Sequence, residues 1–325
     1  MPGSVQEYID SPSARGELID FLRRTGDLPP GACSWERRLA HWWDENPHRE
    51  AHPLRGYVVR SSDRIVGFGG AVPCRYTLGL QTLPAVIATT LRVDKGHERA
   101  GLKMLLKLRK FGSQHLFVLS TPIPRLQHVL DDMGARPETR LVRHLSLMGL
   151  PARWMGSAAK WPPLSSGMRI VTSLQEVQSL VQKLPQYRIE PLVTLESLRW
   201  HLDTPLHRMK FLGAVDEGGR LHSCLILQRH RTLRLFHAWE VVFAWTARDH
   251  PLEIQALAGA LVRAPSLLGE NGRWFTATTF AGDDTWQGLP WLLNRQETVC
   301  HYFLMPADLQ GAPKLTRMAE GDIVL

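Results

Sequence analysis

The chain of 325 residues has no run of eighteen apolar residues, and no basic segment followed by an apolar core at its N-terminus. We therefore expect a cytoplasmic protein with no membrane partner, no membrane span and no signal peptide. The sequence has only four cysteines, and they show neither Cys-x-x-Cys nor Cys/His ligand spacing. Reduced thiols and no metal site are expected for these residues, which are Cys33, Cys74, Cys224 and Cys300.

Several familiar catalytic patterns are missing as well: the sequence contains no P-loop, no Ser-His-Asp signature and no zinc-binding motif. Its length and its hydrophobic content of 44% suit about two packed domains. The formal net charge of +8 favours an anionic partner. A polyanionic small molecule would meet that preference as well as a nucleic acid would.

One stretch, residues 85–112, combines a strand, a polar loop and a helix. Residues 86–93 are apolar and β-branched, which predicts a largely buried strand. In residues 101–111 the leucines fall near helical spacing, which predicts a buried helix face made by Leu102, Leu105, Leu106 and Leu108. The polar loop between them leads to the helix start, where N–H groups and the positive dipole end favour a phosphate.

The end of this loop reads Glu98-Arg99-Ala100-Gly101-Leu102-Lys103. With its preceding strand and the strand and helix that follow, it resembles the acyl-CoA pyrophosphate loop of the GCN5-related N-acetyltransferases. The family pattern is Arg/Gln-x-x-Gly-x-Gly/Ala, so Gly101 matches while Glu98 and Lys103 depart from it. The resemblance implies acetyl-CoA or another acyl-CoA as co-substrate, no metal, and cofactor binding by these six residues. It also implies that the backbone near Leu91, Arg92 and Val93 binds the pantetheine arm and polarises the thioester.

The sequence also repeats itself weakly. Gly-Tyr-Val at residues 56–58 is echoed by Gly-Ala-Val at 213–215, and His144 by His301, both at an offset of 157 residues (213 − 56 and 301 − 144). The repeat predicts an α/β (α+β) fold with two lobes, each a mixed, mostly antiparallel sheet flanked by helices. We place an acyl-CoA-binding lobe at residues 1–150, closed by a strand at 140–148. A linker follows at 151–167, and a degenerate lobe with the acceptor site at 168–325.

The catalytic base is weakly specified by the sequence. The first lobe offers only the hydroxyls of Thr89 and Thr90, and Leu130 stands where the family has its general-acid Tyr. Glu240, in the apolar strand of the second lobe, is our candidate base, because a half-buried carboxylate there would suit proton abstraction. The same side chain could instead face outward or form a structural ion pair.

These observations favour a protein that uses acetyl-CoA or another acyl-CoA, and they leave three functions open. The first is an N-acyltransferase acting on a small polar amine such as an amino sugar or an amino acid derivative, with an anionic acceptor compatible with the positive net charge. The second is a transferase of the Fem type that uses aminoacyl-tRNA, the one reading that requires nucleic acid. The third is a non-catalytic acyl-CoA-binding or scaffold protein. The oligomeric state is open.

Overall fold

The computed structural model describes residues 4–26, 33–120, 124–132, 136–138, 141–206, 208–232, 236–247, 252–269, 274–279, 285–297 and 301–314. Its strands are, in chain order, β1 (Val5–Glu7), β2 (Gly56–Ser61), β3 (Arg64–Leu78), β4 (Gln81–Val93), β5 (Leu116–Ser120), β6 (Arg136–Glu138), β7 (Leu141–Leu147), β8 (Arg169–Val171), β9 (Ser179–Leu180), β10 (Glu190–Pro191), β11 (Met209–Val215), β12 (Arg220–Thr232), β13 (Phe236–Thr246), β14 (Trp274–Thr279), β15 (Leu293–Glu297) and β16 (His301–Leu304).

The helices are α1 (Pro12–Thr25), α2 (Trp35–Leu39), α3 (Glu98–Gly112), α4 (Pro124–Asp132), α5 (Leu150–Trp154), α6 (Leu195–Leu202) and α7 (Leu252–Arg263). A π-helical turn, Ala40–Asp44, continues α2. Within the described part of the chain, no helix is long and apolar enough to cross a membrane.

The strands form two mixed, mostly antiparallel sheets of eight strands each. The first sheet has the order β1-β2-β3-β4-β5-β16-β6, with β10 added beside β3. The second has the order β15-β7-β14-β13-β12-β11-β8, with β9 added beside β12. In each sheet three consecutive antiparallel strands are followed by a parallel pair. Strands β2, β3 and β4 are antiparallel, and β4 pairs in parallel with β5. Likewise β11, β12 and β13 are antiparallel, and β13 pairs in parallel with β14. The predicted fold class and the two-lobe arrangement are confirmed.

The closing strands are exchanged between the two sheets. Strand β7 is the predicted closing strand of the N-terminal lobe, but it lies in the second sheet between β14 and β15. Strand β16 comes from the C-terminal end and lies in the first sheet between β5 and β6. The placement of the 140–148 strand in the first lobe is therefore wrong. The division at residues 1–150, 151–167 and 168–325 stays a prediction. Strands from each side of this division pair with the sheet of the other side.

Helix α3 packs on the first sheet through a stripe that differs from the predicted one. Its buried side is made by small residues and by longer apolar ones, namely Ala100, Gly101, Met104, Leu105, Leu108 and Gly112. The small residues bring the helix backbone close to the sheet: a Cβ on Gly101 would lie 3.3 Å from Val93 Cγ2. Leu102 and Leu106 are instead 50% and 51% exposed, so their predicted burial is wrong.

Candidate functional site

The parallel pairing of β4 with β5 ends halfway along β4. It joins Ala85–Ala88 to Leu116–Leu119, whereas β4 runs on to Val93 and stays paired with β3. Thr90 is the extra residue of a bulge on β4, with a φ of 47° that is unusual for a β-branched residue. Strand β5 ends one residue after this pairing, at Ser120, so beyond the bulge β4 has no strand neighbour on that side among the described residues; we call this open edge the wedge.

The wedge is bordered by three residues that the sequence assigns to the pantetheine arm. Leu91, Arg92 and Val93 pair with Gly69, Phe68 and Gly67 of β3, and no strand among the described residues covers their other edge. Leu91 is 37% exposed. The Arg92 side chain turns away and donates to the Thr25 carbonyl over 3.1 Å. The backbone of this segment is thus what the wedge offers to a ligand.

The predicted pyrophosphate loop leads into α3, and three N–H groups at this helix start are engaged within the protein. The N–H of Gly96 donates to the Glu98 carboxylate over 3.0 Å, and that of His97 donates to the Asp94 carbonyl over 3.0 Å. The N–H of Ala100 donates to the His97 carbonyl over 2.7 Å. The Glu98 carboxylate therefore lies at the helix N-terminus, where a pyrophosphate would otherwise bind.

The rest of the predicted loop lies on the first turns of α3, outside the buried stripe that packs on the sheet. These residues are Arg99, Leu102 and Lys103. Arg99 and Leu102 are exposed and Lys103 is partly exposed, while Ala100 and Gly101 are buried against the sheet. The structure therefore brings the six residues to one helix end, but it does not point their side chains at one place.

Glu240 lies in a second wedge of the same design. The parallel pairing of β13 with β14 ends at Glu240 and Thr276, and Val242 is the bulged residue two positions later. The carboxylate is 2% exposed, accepts a hydrogen bond from Gln228 Nε2 over 3.0 Å, and lies 3.8 Å from an Arg143 guanidinium nitrogen. The carboxylate is more buried than the half-buried position expected from the sequence. It forms an ion pair, which was one of the two alternatives to a catalytic role.

The contacts among described residues do not join Glu240 to residues 91–103. They do link it to the strand exchange, because Arg143 lies on β7. Strand β6 ends at Glu138, the register partner of His301, and His301 is in turn the partner of Ser120 at the end of β5. Glu240 is therefore tied to the exchanged strand β7 and not, among the described contacts, to the first wedge.

A cleft between the two lobes was not predicted from the sequence. Its volume is about 450 Å³, and it is lined by residues of the π-helical turn, of the loop after it and of α6: His41, Asp44, Glu45, Asn46, Pro47, Arg49, Glu50, Glu196, Arg199, Trp200 and Asp203. Trp200 Nε1 donates to the His41 carbonyl over 2.7 Å, and the two rings stack at 4.7 Å. These contacts hold the two walls together at the base of the cleft.

His41 is 1% exposed and its Nδ1 has no hydrogen-bond partner among the described residues. That nitrogen lies 3.6 Å from a carboxylate oxygen of Glu45, beyond hydrogen-bond distance. Burial lowers the pKa of His41 to about 4, so the ring is neutral near pH 7. A neutral imidazole can accept or donate one hydrogen bond to a molecule in the cleft.

The carboxylates of the cleft differ in their pairing. Arg15 binds Asp44 through two hydrogen bonds of 2.6 and 3.0 Å and lowers its pKa, and Arg37 binds Glu45. Glu196 and Asp203, on the α6 wall, have no ion-pair partner in the described ranges. The α6 wall therefore carries the carboxylates that remain available to a cationic ligand.

One wall of the cleft is bonded to the strand beside the first wedge. Trp43 Nε1 donates to the Ala71 carbonyl over 3.0 Å, and Asn46 Nδ2 donates to the Pro73 carbonyl over 2.8 Å. Ala71 is the cross-strand partner of Ala88, the last β4 residue that pairs with β5. The sequence held a signal for this cleft: Trp43-x-x-Asn46-Pro47 on one wall is echoed by Trp200-x-x-x-Thr204-Pro205 on the other, at the same offset of 157 residues (200 − 43).

No protein-family model matches the sequence, and no curated protein is significantly similar to it. Solved structures are similar over nearly the whole chain. A conserved protein of unknown function from Enterococcus faecalis has a TM-score of 0.58 at 11% identity, over 95% of this chain and 74% of its own.

Two GCN5-related N-acetyltransferases resemble the chain to the same degree. The protein from Anabaena variabilis has a TM-score of 0.59 at 11% identity, over 92% of this chain and 72% of its own. The protein from Kribbella flavida has a TM-score of 0.57 at 10% identity, over 92% and 71%. At such identities the similarity speaks for the fold. The chain therefore has the fold of the GCN5-related N-acetyltransferases, arranged in two lobes.

Proposed function

We propose that the protein is an acyl-CoA-dependent N-acyltransferase, with acetyl-CoA as the first donor to test, that acts on the amine of a small polar metabolite. The observation that carries the proposal is the wedge beyond the end of β5, where no strand among the described residues pairs with the outer edge of Leu91, Arg92 and Val93. An extended pantetheine arm carries amides that can pair with such an edge as an added strand would.

Transfer would then be direct. An N–H of the open β4 edge would donate to the thioester carbonyl and stabilise the negative charge that develops on its oxygen. The acceptor amine would attack the carbonyl carbon, so that a C–N bond forms and the C–S bond breaks. The proton lost by the amine would end on the departing thiol, directly or through a base.

We place the acceptor in the interlobe cleft. One wall of the cleft is bonded to the strand next to β4, and the other carries the carboxylates of Glu196 and Asp203. These charges favour an acceptor with a protonated amine or a second cationic group over the anionic acceptor that the net charge allowed. Glu240 stays our proposed base, as a buried carboxylate beside the cation of Arg143.

Calorimetric titration with acetyl-CoA, followed by mass spectrometry of products formed with a panel of amines, tests this proposal. We expect saturable binding and an acetylated amine. Gly101→Glu would insert a side chain between α3 and Val93 and abolish both signals, whereas Gly16→Glu meets nothing within 4 Å and is the matched control. Circular dichroism of both variants verifies folding. No binding and no product from wild-type protein with any acyl-CoA would refute the proposal.

A further inference from the structure

The outer face of α3 combines exposed leucines with a dense set of cations. At 3.6 residues per turn, Leu106 lies near the middle of the side opposite the buried stripe, with Leu102 one turn before it. The two leucines are 51% and 50% exposed. Basic side chains surround them on the same helix: Arg99, Lys103, Lys107, Arg109 and Lys110. We call this surface the α3 face.

Four of the five cations of the α3 face point into solvent. Arg99, Lys107, Arg109 and Lys110 are exposed, and none of the four has an ion-pair partner among the described residues. Exposed leucines at i and i+4 add no stability to a monomer, because they remain in contact with water. An apolar centre flanked mainly by cations, with Glu98 as the acid one turn before Leu102, is instead the pattern of a protein-docking surface.

The N-terminal end of the α3 face is the end nearer the wedge, since α3 begins five residues after β4 ends. Leu91, at the border of the wedge, is also exposed. A partner that covered the α3 face would therefore lie beside the opening through which a thioester must enter. This position relates the surface to delivery of the acyl donor.

The loop at the start of α3 carries an acidic side chain near the place where the phosphates of free CoA would lie. The carboxylate of Glu98 lies at the helix N-terminus and accepts a hydrogen bond from the N–H of Gly96. The N–H groups of His97 and Ala100 donate to backbone carbonyls. A negative charge at that position opposes a bound pyrophosphate. The wedge, by contrast, retains its open backbone edge for a pantetheine arm.

We propose that the acyl group is delivered by an acidic carrier protein, on a phosphopantetheine arm, and that this carrier docks on the α3 face. The inference rests on the proposed function and names the donor partner of the same wedge. Acidic side chains of the carrier would meet the unmatched cations, and an apolar contact would cover Leu102 and Leu106. The carrier, rather than a pyrophosphate loop, would then hold the arm in place.

The transfer step is unchanged by this choice of donor. The amine attacks the thioester carbonyl, the C–N bond forms, and the C–S bond to the carrier's arm breaks. The thiol of the arm leaves with the proton released by the amine, so the products are an amide and the carrier with a free thiol.

Binding of acetylated acyl carrier protein, measured by biolayer interferometry at low and moderate salt, tests the inference, with acetyl-CoA titrated in parallel. Leu106→Glu and the pair Lys107→Glu/Lys110→Glu alter the α3 face. Two surface changes of the same kind elsewhere serve as controls: Lys160→Glu, and Leu80→Glu at a side chain that is 91% exposed. We expect the α3 variants to weaken carrier binding about tenfold or more, and the controls to leave it unchanged.

Two results would overturn the inference in different ways. Binding or turnover of acetyl-CoA without binding of the carrier, or carrier binding that the α3 variants leave intact, would reject the docking surface while the acyltransferase proposal stands. Failure of wild-type protein to bind either donor would reject both. Carrier binding that weakens with salt and with the α3 variants, while acetyl-CoA binds those variants as it binds wild type, would support the inference.

Discussion

Replacing Gly112 by Ala tests whether β16 lies in the first sheet. Gly112 is the last residue of α3, and a Cβ built on it would overlap Leu304 Cβ and lie 3.3 Å from Leu304 Cδ1. A Cβ cannot rotate away, so the helix end or the strand must move. Leu304 belongs to β16, which reaches this position only because the closing strands are exchanged.

The expected cost follows from two opposing effects. Overpacking of this kind costs about 1–3 kcal/mol, while Gly→Ala in a helix gains up to about 1 kcal/mol. We therefore expect Gly112→Ala to lower the free energy of unfolding by about 1–2 kcal/mol. The matched change is Gly16→Ala in α1, where a Cβ meets nothing within 4 Å. That variant should gain up to about 1 kcal/mol.

Urea unfolding of both variants, followed by tryptophan fluorescence, gives the comparison. The double variant Gly112→Ala/Leu304→Gly removes the overlapping atom and should lose less stability than the sum of the two single changes. If Gly112→Ala were as stable as Gly16→Ala, Leu304 would not lie on α3, and the exchange of β16 into the first sheet would be wrong.

Three further outcomes follow from burial and charge. Glu240→Ala leaves the charge of Arg143 without its buried partner and should lower the free energy of unfolding by about 3–5 kcal/mol. Glu240→Gln should keep most of that stability but lose amine transfer. Thermal unfolding measures the first effect and a product assay measures the second. Burial lowers the pKa of His41 and of His48 to about 4, below the ordinary value of 6.5. Stability from these neutral rings is therefore complete above pH 6.5 and lost as the pH falls toward 4, by roughly 2–3 kcal/mol for each ring; urea titrations between pH 4 and 7 should flatten when both are replaced by Gln. Met104→Ala should cost about 2–4 kcal/mol because Met104 is fully buried, while Leu106→Ala should cost less than about 0.5 kcal/mol; equal losses for the two would contradict the orientation of α3.

The strand–loop–helix at residues 85–112 was predictable from sequence. The alternation of a strand and the leucine spacing of a helix are both set by residues close together in the chain. The orientation of α3 was not, since leucine spacing alone places Leu102 and Leu106 inward. Burial is decided by close approach to the sheet, which needs small residues such as Ala100 and Gly101. Leucines displaced from that stripe face water, and sequence patterns do not distinguish the two cases.

The exchange of closing strands was also beyond the sequence. Strands β7 and β16 occupy equivalent places in the repeat, so either could complete either sheet on periodicity alone. Register and length of connection decide between the sheets, and both are long-range properties. The interlobe cleft was missed for the same reason, because its walls come from residues such as Glu45 and Glu196 that no local pattern brings together.

The exchange also has a consequence for synthesis of the chain. Strand β6 is complete once residue 138 has been made, but β16, which pairs with it, ends at residue 304, 166 residues later (304 − 138). At about 5–20 residues per second, that interval lasts roughly 8–33 s. Through this time β5 and β6 lack the strand that lies between them, and their exposed edges can pair with other chains. We expect the nascent first lobe to need a chaperone, or a low concentration of incomplete chains, to avoid aggregation. A fragment that ends near residue 150 should aggregate.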